Sequence, residues 1–216
     1  AAMRAHDIRY LPGCSDLGDF DATSTTIAMT PVQAAGVLPV DALKLTFERY
    51  WTFFQERRSG EVPYDAYTPY ELRNVGAFVR LGWRERAHEL LDWFMADRRP
   101  QGWRQWAEVV DRLPRRPRFL GDMPHTWVGT DFVRSVQEML AYENEDDSTL
   151  VIAAGIPEGW LDGDGVDVRG LQTRWGVLGY KLTRRDGRTR LELDSSQLRV
   201  PPGGLVFAPP LPAIEG

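Results

Sequence analysis

The sequence predicts an α+β protein, with helices paired as hairpins over residues 1–147 and a small antiparallel β unit over residues 148–216. Three observations lead there. Apolar residues recur at helical spacing in several stretches before Tyr142, and they alternate with polar residues at period two in several stretches after Ser148. The acidic run Glu143-Asn144-Glu145-Asp146-Asp147 marks the change as an exposed end.

The elements follow in order. Residues 1–21 read as an irregular lead-in, with Pro12-Gly13 and Leu17-Gly18-Asp19 as turn signals. A short helix is expected from Ala22 to Met29, capped by Asp21 or Thr23. From Val40 to Arg58, Leu43, Phe47, Tyr50, Trp51 and Phe54 form an apolar stripe, and Ser59-Gly60 ends the helix. Pro69 suits the first turn of a helix reaching Leu81, with Thr68 as its cap and Gly82 closing it. Arg84 to Asp97 carries Ala87, Leu90, Leu91, Phe94 and Met95 on one face. Only Gly82-Trp83 separates these two helices, so they must double back as an αα-hairpin. Arg98 to Met123 is a long connection, and Pro124 to Tyr142 is the last helix. Beyond it, strands are expected at 150–154, 166–171, 176–183, 189–193 and 205–208, with Asp186-Gly187 as a hairpin turn.

Composition removes several function classes. The chain of 216 residues is 43% hydrophobic and 26% charged, which is ordinary for a globular protein. No apolar run approaches the ~18 residues of a membrane span. The start, Ala1-Ala2-Met3-Arg4, lacks the apolar core of a signal peptide, which does not exclude a leader already removed. A single cysteine, Cys14, rules out an internal disulfide framework and a Cys-rich zinc site. His6, His88 and His125 are too scattered to suggest a metal cage, so no metal and no cofactor is expected. A net charge of −5 argues against nucleic acid as partner, and the cluster Arg112, Arg115, Arg116 and Arg118 reads as a solvated face.

Eight Trp, seven Tyr and nine Phe can fill a core or line a groove for sugars, whose C–H faces stack on rings. Four segments place such rings beside polar groups. In Trp103-Arg104-Gln105-Trp106-Ala107-Glu108, a carboxylate beside indoles suits a glycosidase acid or base, or else pairs with Arg104 or Arg112. In Gly121-Asp122-Met123-Pro124-His125-Thr126-Trp127, His125 and Trp127 stand at a helix N-terminus that favours hydroxyl-rich ligands; alternatively Asp122 caps and Trp127 packs inside. Tyr67 and Glu71 gather at another helix start, where Glu71 faces either a groove or Arg73, and Asp21 is either ligand-facing or a cap.

Helical hairpins, the loop with Trp106-Ala107-Glu108, the helix opening with Met123-Pro124-His125-Thr126-Trp127 and the β tail together resemble the end of a six-hairpin (α/α)6-toroid glycosidase. Gly18-Asp19-Phe20-Asp21-Ala22-Thr23-Ser24-Thr25-Thr26 adds to the likeness, which is to bacterial multidomain proteins of the glucoamylase and trehalase class. The resemblance implies an incomplete toroid, since about five helices are read here and a toroid uses twelve. It implies a glycoside hydrolase-like activity with Glu108 as general base, and an acid from an earlier hairpin about 6.5–9.5 Å away. It also implies a sugar site lined by Trp103, Trp106, His125, Trp127, Asp21, Tyr67 and Glu71. The partners implied are a carbohydrate ligand and either the missing N-terminal hairpins or a second copy of the chain. The compartment implied is periplasmic or secreted. Phosphorolysis in place of hydrolysis, and a non-catalytic carbohydrate-binding or interaction module, remain the alternatives.

Overall fold

A computed structural model describes residues 1–100, 102–113 and 121–210, and combines helices with strands. The chain forms two compact units, Ala1–Val136 and Gln137–Gly216.

The first unit opens with the short helix α1 (Ala2–Ala5) inside the segment expected to be irregular. Helix α2 (Ala22–Met29) is capped by Asp21, whose Oδ1 accepts the Ser24 N–H at 3.0 Å. That bond satisfies one of the donors orphaned at a helix start. Asp21→Ala is expected to lower stability by about 1 kcal/mol, measured by urea unfolding. Helix α3 (Val40–Ser59) buries Leu43, Phe47, Tyr50 and Phe54 along one stripe and stops at Gly60, whose φ of 87° suits glycine.

The segment expected as one helix from Pro69 splits into a 3₁₀ turn, Pro69–Leu72, and helix α4 (Arg73–Arg80). Thr68 caps the turn by accepting the Tyr70 N–H at 3.3 Å. Helix α5 (Arg84–Ala96) doubles back as the sequence predicts. Phe78 joins the two halves of this core, with ring centroids 6.3 Å from Phe47, 5.8 Å from Trp51 and 5.5 Å from Trp83.

A salt bridge lies inside the same core. Arg57 continues the α3 stripe, and its two terminal nitrogens donate to the Glu71 carboxylate at 2.8 and 2.7 Å. Tyr50 Oη donates to the same carboxylate at 2.7 Å. Rings of Phe53, Tyr64, Tyr67 and Trp93 stand 5.2–5.5 Å from the Arg57 guanidinium. Burial, and after it the Glu71 charge, pushes the Tyr50 phenol well above its ordinary range.

Two short strands, β1 (Ala66–Tyr67) and β2 (Val110–Asp111), pair antiparallel. Helix α6 (Thr126–Leu140) begins in this unit and ends in the next.

In the second unit, β3 (Ala141–Asn144) and β4 (Thr149–Ile152) pair antiparallel, and β8 (Leu205–Phe207) lies parallel to β4. The β unit therefore begins before the acidic run rather than at Ser148, and the last helix stops at Leu140 rather than Tyr142. Pairing of Tyr142 with Val151 and Glu143 with Leu150 supplies the ladder bonds that make this polar stretch a strand. The parallel β8 also corrects the expectation of a wholly antiparallel unit, because alternation along one strand carries no information on the direction of its partner.

Strands β5 (Val166–Thr173), β6 (Gly176–Arg185) and β7 (Arg188–Asp194) form an antiparallel meander. Asp186 and Gly187 both take positive φ at its tight turn, as the sequence predicts. Leu150, Ile152, Ile156, Leu161, Leu178 and Leu182 are the fully buried centre of this unit. Among the described residues no helix is long and apolar enough to cross a membrane.

Candidate functional site

The pairing of β1 with β2 brings two loops together: the Thr68–Tyr70 turn follows β1, and Trp106-Ala107-Glu108 precedes β2. Trp106 and Ala107 are buried, whereas Glu108 is half-buried. Three hydrogen bonds, two between backbone groups and one from a threonine hydroxyl, fix the Glu108 segment. Its N–H donates to the Asp122 carbonyl at 3.0 Å, its carbonyl accepts Thr68 Oγ1 at 2.7 Å, and the Trp106 carbonyl accepts the His125 N–H at 2.7 Å.

These bonds gather three titratable side chains. Metal-ligand atoms of Glu108, Asp122 and His125 lie within 4.8 Å of one another. His125 also ends the approach to α6: its Nδ1 accepts the Val128 N–H at 3.4 Å. Its Nε2 stands 3.3 Å from Tyr70 Oη. The Tyr70 ring meets the His125 ring edge-on at 5.3 Å and Trp127 edge-on at 6.0 Å. Arg73 lies 4.7 Å over the Tyr70 ring and is held by Asp131, with Nε to Oδ2 at 2.7 Å. Burial raises the Asp131 pKa, and the adjacent Arg73 opposes that rise. Burial and then the Glu108 charge raise the Tyr70 phenol above its ordinary range, which keeps it a donor.

Three of the sequence-predicted site residues therefore come together: Glu108, His125 and Trp127. Trp127 is 63% exposed, so its indole is open to solvent rather than packed inside. Trp103, 57% exposed, stands on the same loop as Glu108. Trp106 does not line the site: it is buried, its ring 5.4 Å from that of Phe132.

Tyr67 is likewise a core residue, 5% exposed, donating through Oη to Asp97 at 2.7 Å. Glu71 belongs to the buried pair with Arg57, since a lone carboxylate on an inner helix face needs a counter-charge. Asp21 serves as a cap; it and Glu71 also border a separate hollow of about 560 Å³ with Phe20, Arg49 and Phe53. Arg112 stands 5.7 Å from the Tyr64 ring, while Arg115, Arg116 and Arg118 lie outside the described residues.

Two members of the cluster were not among the residues expected to line the site: Tyr70 and Asp122. The signal for Tyr70 is the inner face itself. Leu72, Val75, Phe78 and Val79 point to the core, which leaves Tyr70 and Arg73 on the other side of the segment, one helical turn apart.

Chemically, the cluster offers a proton acceptor, an imidazole, a phenol and an exposed indole. The two carboxylates and the imidazole are also a donor set that could hold a borderline divalent cation, an arrangement the scattered histidines did not suggest. No family model matches the chain, and no curated protein or solved structure is significantly similar to it.

Proposed function

We propose that this chain is the C-terminal portion of a glycoside hydrolase-like carbohydrate-active protein of the six-hairpin (α/α)6-toroid class, with Glu108 as its general base. The observation that carries this reading is the Glu108 carboxylate, half-buried, gathered with Asp122 and His125 within 4.8 Å beside the exposed Trp127 indole. A sugar ring stacks on the indole through its C–H face, and a water near Glu108 gives up its proton as its oxygen attacks the anomeric carbon. The leaving oxygen takes a proton from a carboxylic acid supplied by earlier hairpins of the toroid. The paired helices α4 and α5, and the entry to α6 beside the Glu108 loop, agree with the closing hairpins of such a ring.

The test is turnover of a panel of oligosaccharides and aryl glycosides, by the chain alone and joined to the hairpins that precede it. Glu108→Gln should lower kcat about 10²–10⁴-fold with the fold intact by circular dichroism. Undiminished turnover removes Glu108 from the mechanism.

The open exposure of Trp127 and Trp103 favours a second reading, a non-catalytic carbohydrate-binding module. Calorimetry then shows sugar binding that Trp127→Ala abolishes, with no product formed by any form of the protein.

A further inference from the structure

We infer that Tyr70 is a second ligand-facing group of this site, a hydroxyl donor placed to work opposite the Glu108 acceptor, and that His125 is the positioning residue that fixes it. The inference deepens the reading of Glu108 as base and rests on it only for the ligand.

The argument starts from the ring nitrogens of His125. A backbone N–H can only donate, so the Val128 N–H, 3.4 Å from Nδ1, requires a lone pair there. A neutral imidazole with an unprotonated Nδ1 carries its proton on Nε2. Nε2–H then donates to Tyr70 Oη at 3.3 Å, and the phenol oxygen is the acceptor in that bond. The Tyr70 hydrogen is left to point elsewhere, away from His125. A phenol whose oxygen is already accepting is a better donor to the next group, because hydrogen bonds in series polarise one another.

The surroundings hold that hydroxyl in place. The ring is wedged edge-on against His125 and Trp127, with the Asp131-anchored Arg73 over its face. Its backbone is tied to the base through one residue: Thr68 Oγ1 accepts the Tyr70 N–H at 3.3 Å and donates to the Glu108 carbonyl at 2.7 Å. The backbones that carry base and phenol are thus linked through a single side chain. A water or sugar hydroxyl between them accepts from Tyr70 through its oxygen while giving its own hydrogen to Glu108. Those are the two contacts that orient an attacking oxygen.

The spectroscopic test uses the full chain labelled with ¹⁵N, in which three histidines give a readable long-range ring spectrum. His125→Gln assigns the ring. The expected wild-type pattern is a fixed Nε2–H form, relaxing to a mixture of tautomers in Tyr70→Phe. An Nδ1–H ring, or a pattern indifferent to Tyr70→Phe, overturns the assignment. One equivalent of Zn²⁺ should leave the ring unchanged. A metal-bound ring signal would make the cluster a cation site and also overturn it.

The kinetic test uses p-nitrophenyl glycosides. Tyr70→Phe should lower kcat about tenfold or more with KM changed less than about threefold, as loss of orientation predicts. An unchanged kcat overturns the role of Tyr70 even where Glu108→Gln abolishes turnover. If Glu108→Gln is fully active, the base assignment fails instead, and the tautomer result still decides the His125–Tyr70 pair.

Discussion

Arg57→Met should destabilise the first unit by about 3–5 kcal/mol, a large part of the stability of any domain this size. The reason is what remains behind. The Arg57 side chain is 2% exposed and that of Glu71 10%, so the substitution strands a carboxylate that water reaches poorly. Tyr50 still donates to it, yet one neutral donor does not replace a bidentate guanidinium. The methionine fills most of the volume, which separates loss of charge pairing from loss of packing. Replacing both partners, Arg57→Met with Glu71→Met, should recover much of the deficit, because no buried charge is then left alone. Equilibrium unfolding in guanidinium of the two single variants and the double variant measures this. If Arg57→Met alone costs less than about 1 kcal/mol, the pair is open to water and the described core is wrong.

That pair was legible in the sequence, though it takes both helices to read it. On α3, Phe47, Tyr50, Phe54 and Arg57 fall on a single stripe at spacings of three and four. On the following segment, Glu71 precedes Leu72, Val75 and Phe78 on the inward face. One positive and one negative side chain on two apolar stripes can be buried only together. Read alone, Glu71 at a helix start beside Tyr67 looks like a ligand-facing acid. Burial is a property of the partner helix as much as of the residue.

The helices themselves were the easiest part to foresee. Long apolar stripes, a Thr68 cap, Gly60 and Gly82 at the ends, and a two-residue link between α4 and α5 all act locally. What sequence could not give was pairing between distant segments. Strand β3 takes in the first residues of the acidic run, and only its ladder to β4 makes it a strand. Strand β8 is apolar, but its parallel alignment is settled by how the chain returns. The site divides the same way. Glu108, His125 and Trp127 were visible because each carries unusual chemistry on a loop or helix start. Which indole faces outward was not visible, because the burial of Trp106, against Phe132 of the distant helix α6, is a tertiary contact that neighbouring residues do not announce.

Gly121→Ala is expected to disable the site more selectively than any change at a site side chain's neighbour on the surface. Gly121 has φ of 61°, where an L side chain is strained by roughly 1–2 kcal/mol. Strain is the lesser effect. A Cβ there would stand 2.6 Å from Glu108 Cβ, 2.8 Å from its Oε2 and 3.1 Å from the Val109 nitrogen. Glu108 cannot yield by rotating its side chain alone, since its own Cβ is the closest atom and its backbone is bonded to Asp122 and Thr68. The carboxylate must shift, and with it the geometry toward His125 and Tyr70. A displacement near 1 Å at a reacting group costs about 10²-fold in turnover. Gly60→Ala is the matched control: its φ is 87°, and nothing lies within 4 Å of where its Cβ would be. That variant should show only the backbone strain in urea unfolding, with the His125 ring spectrum and glycoside turnover unchanged. Gly121→Ala should lose stability by more than the control and alter both readouts. Equal behaviour of the two variants would mean that Glu108 has room to move, and a base with room to move is not pre-positioned for the chemistry assigned to it.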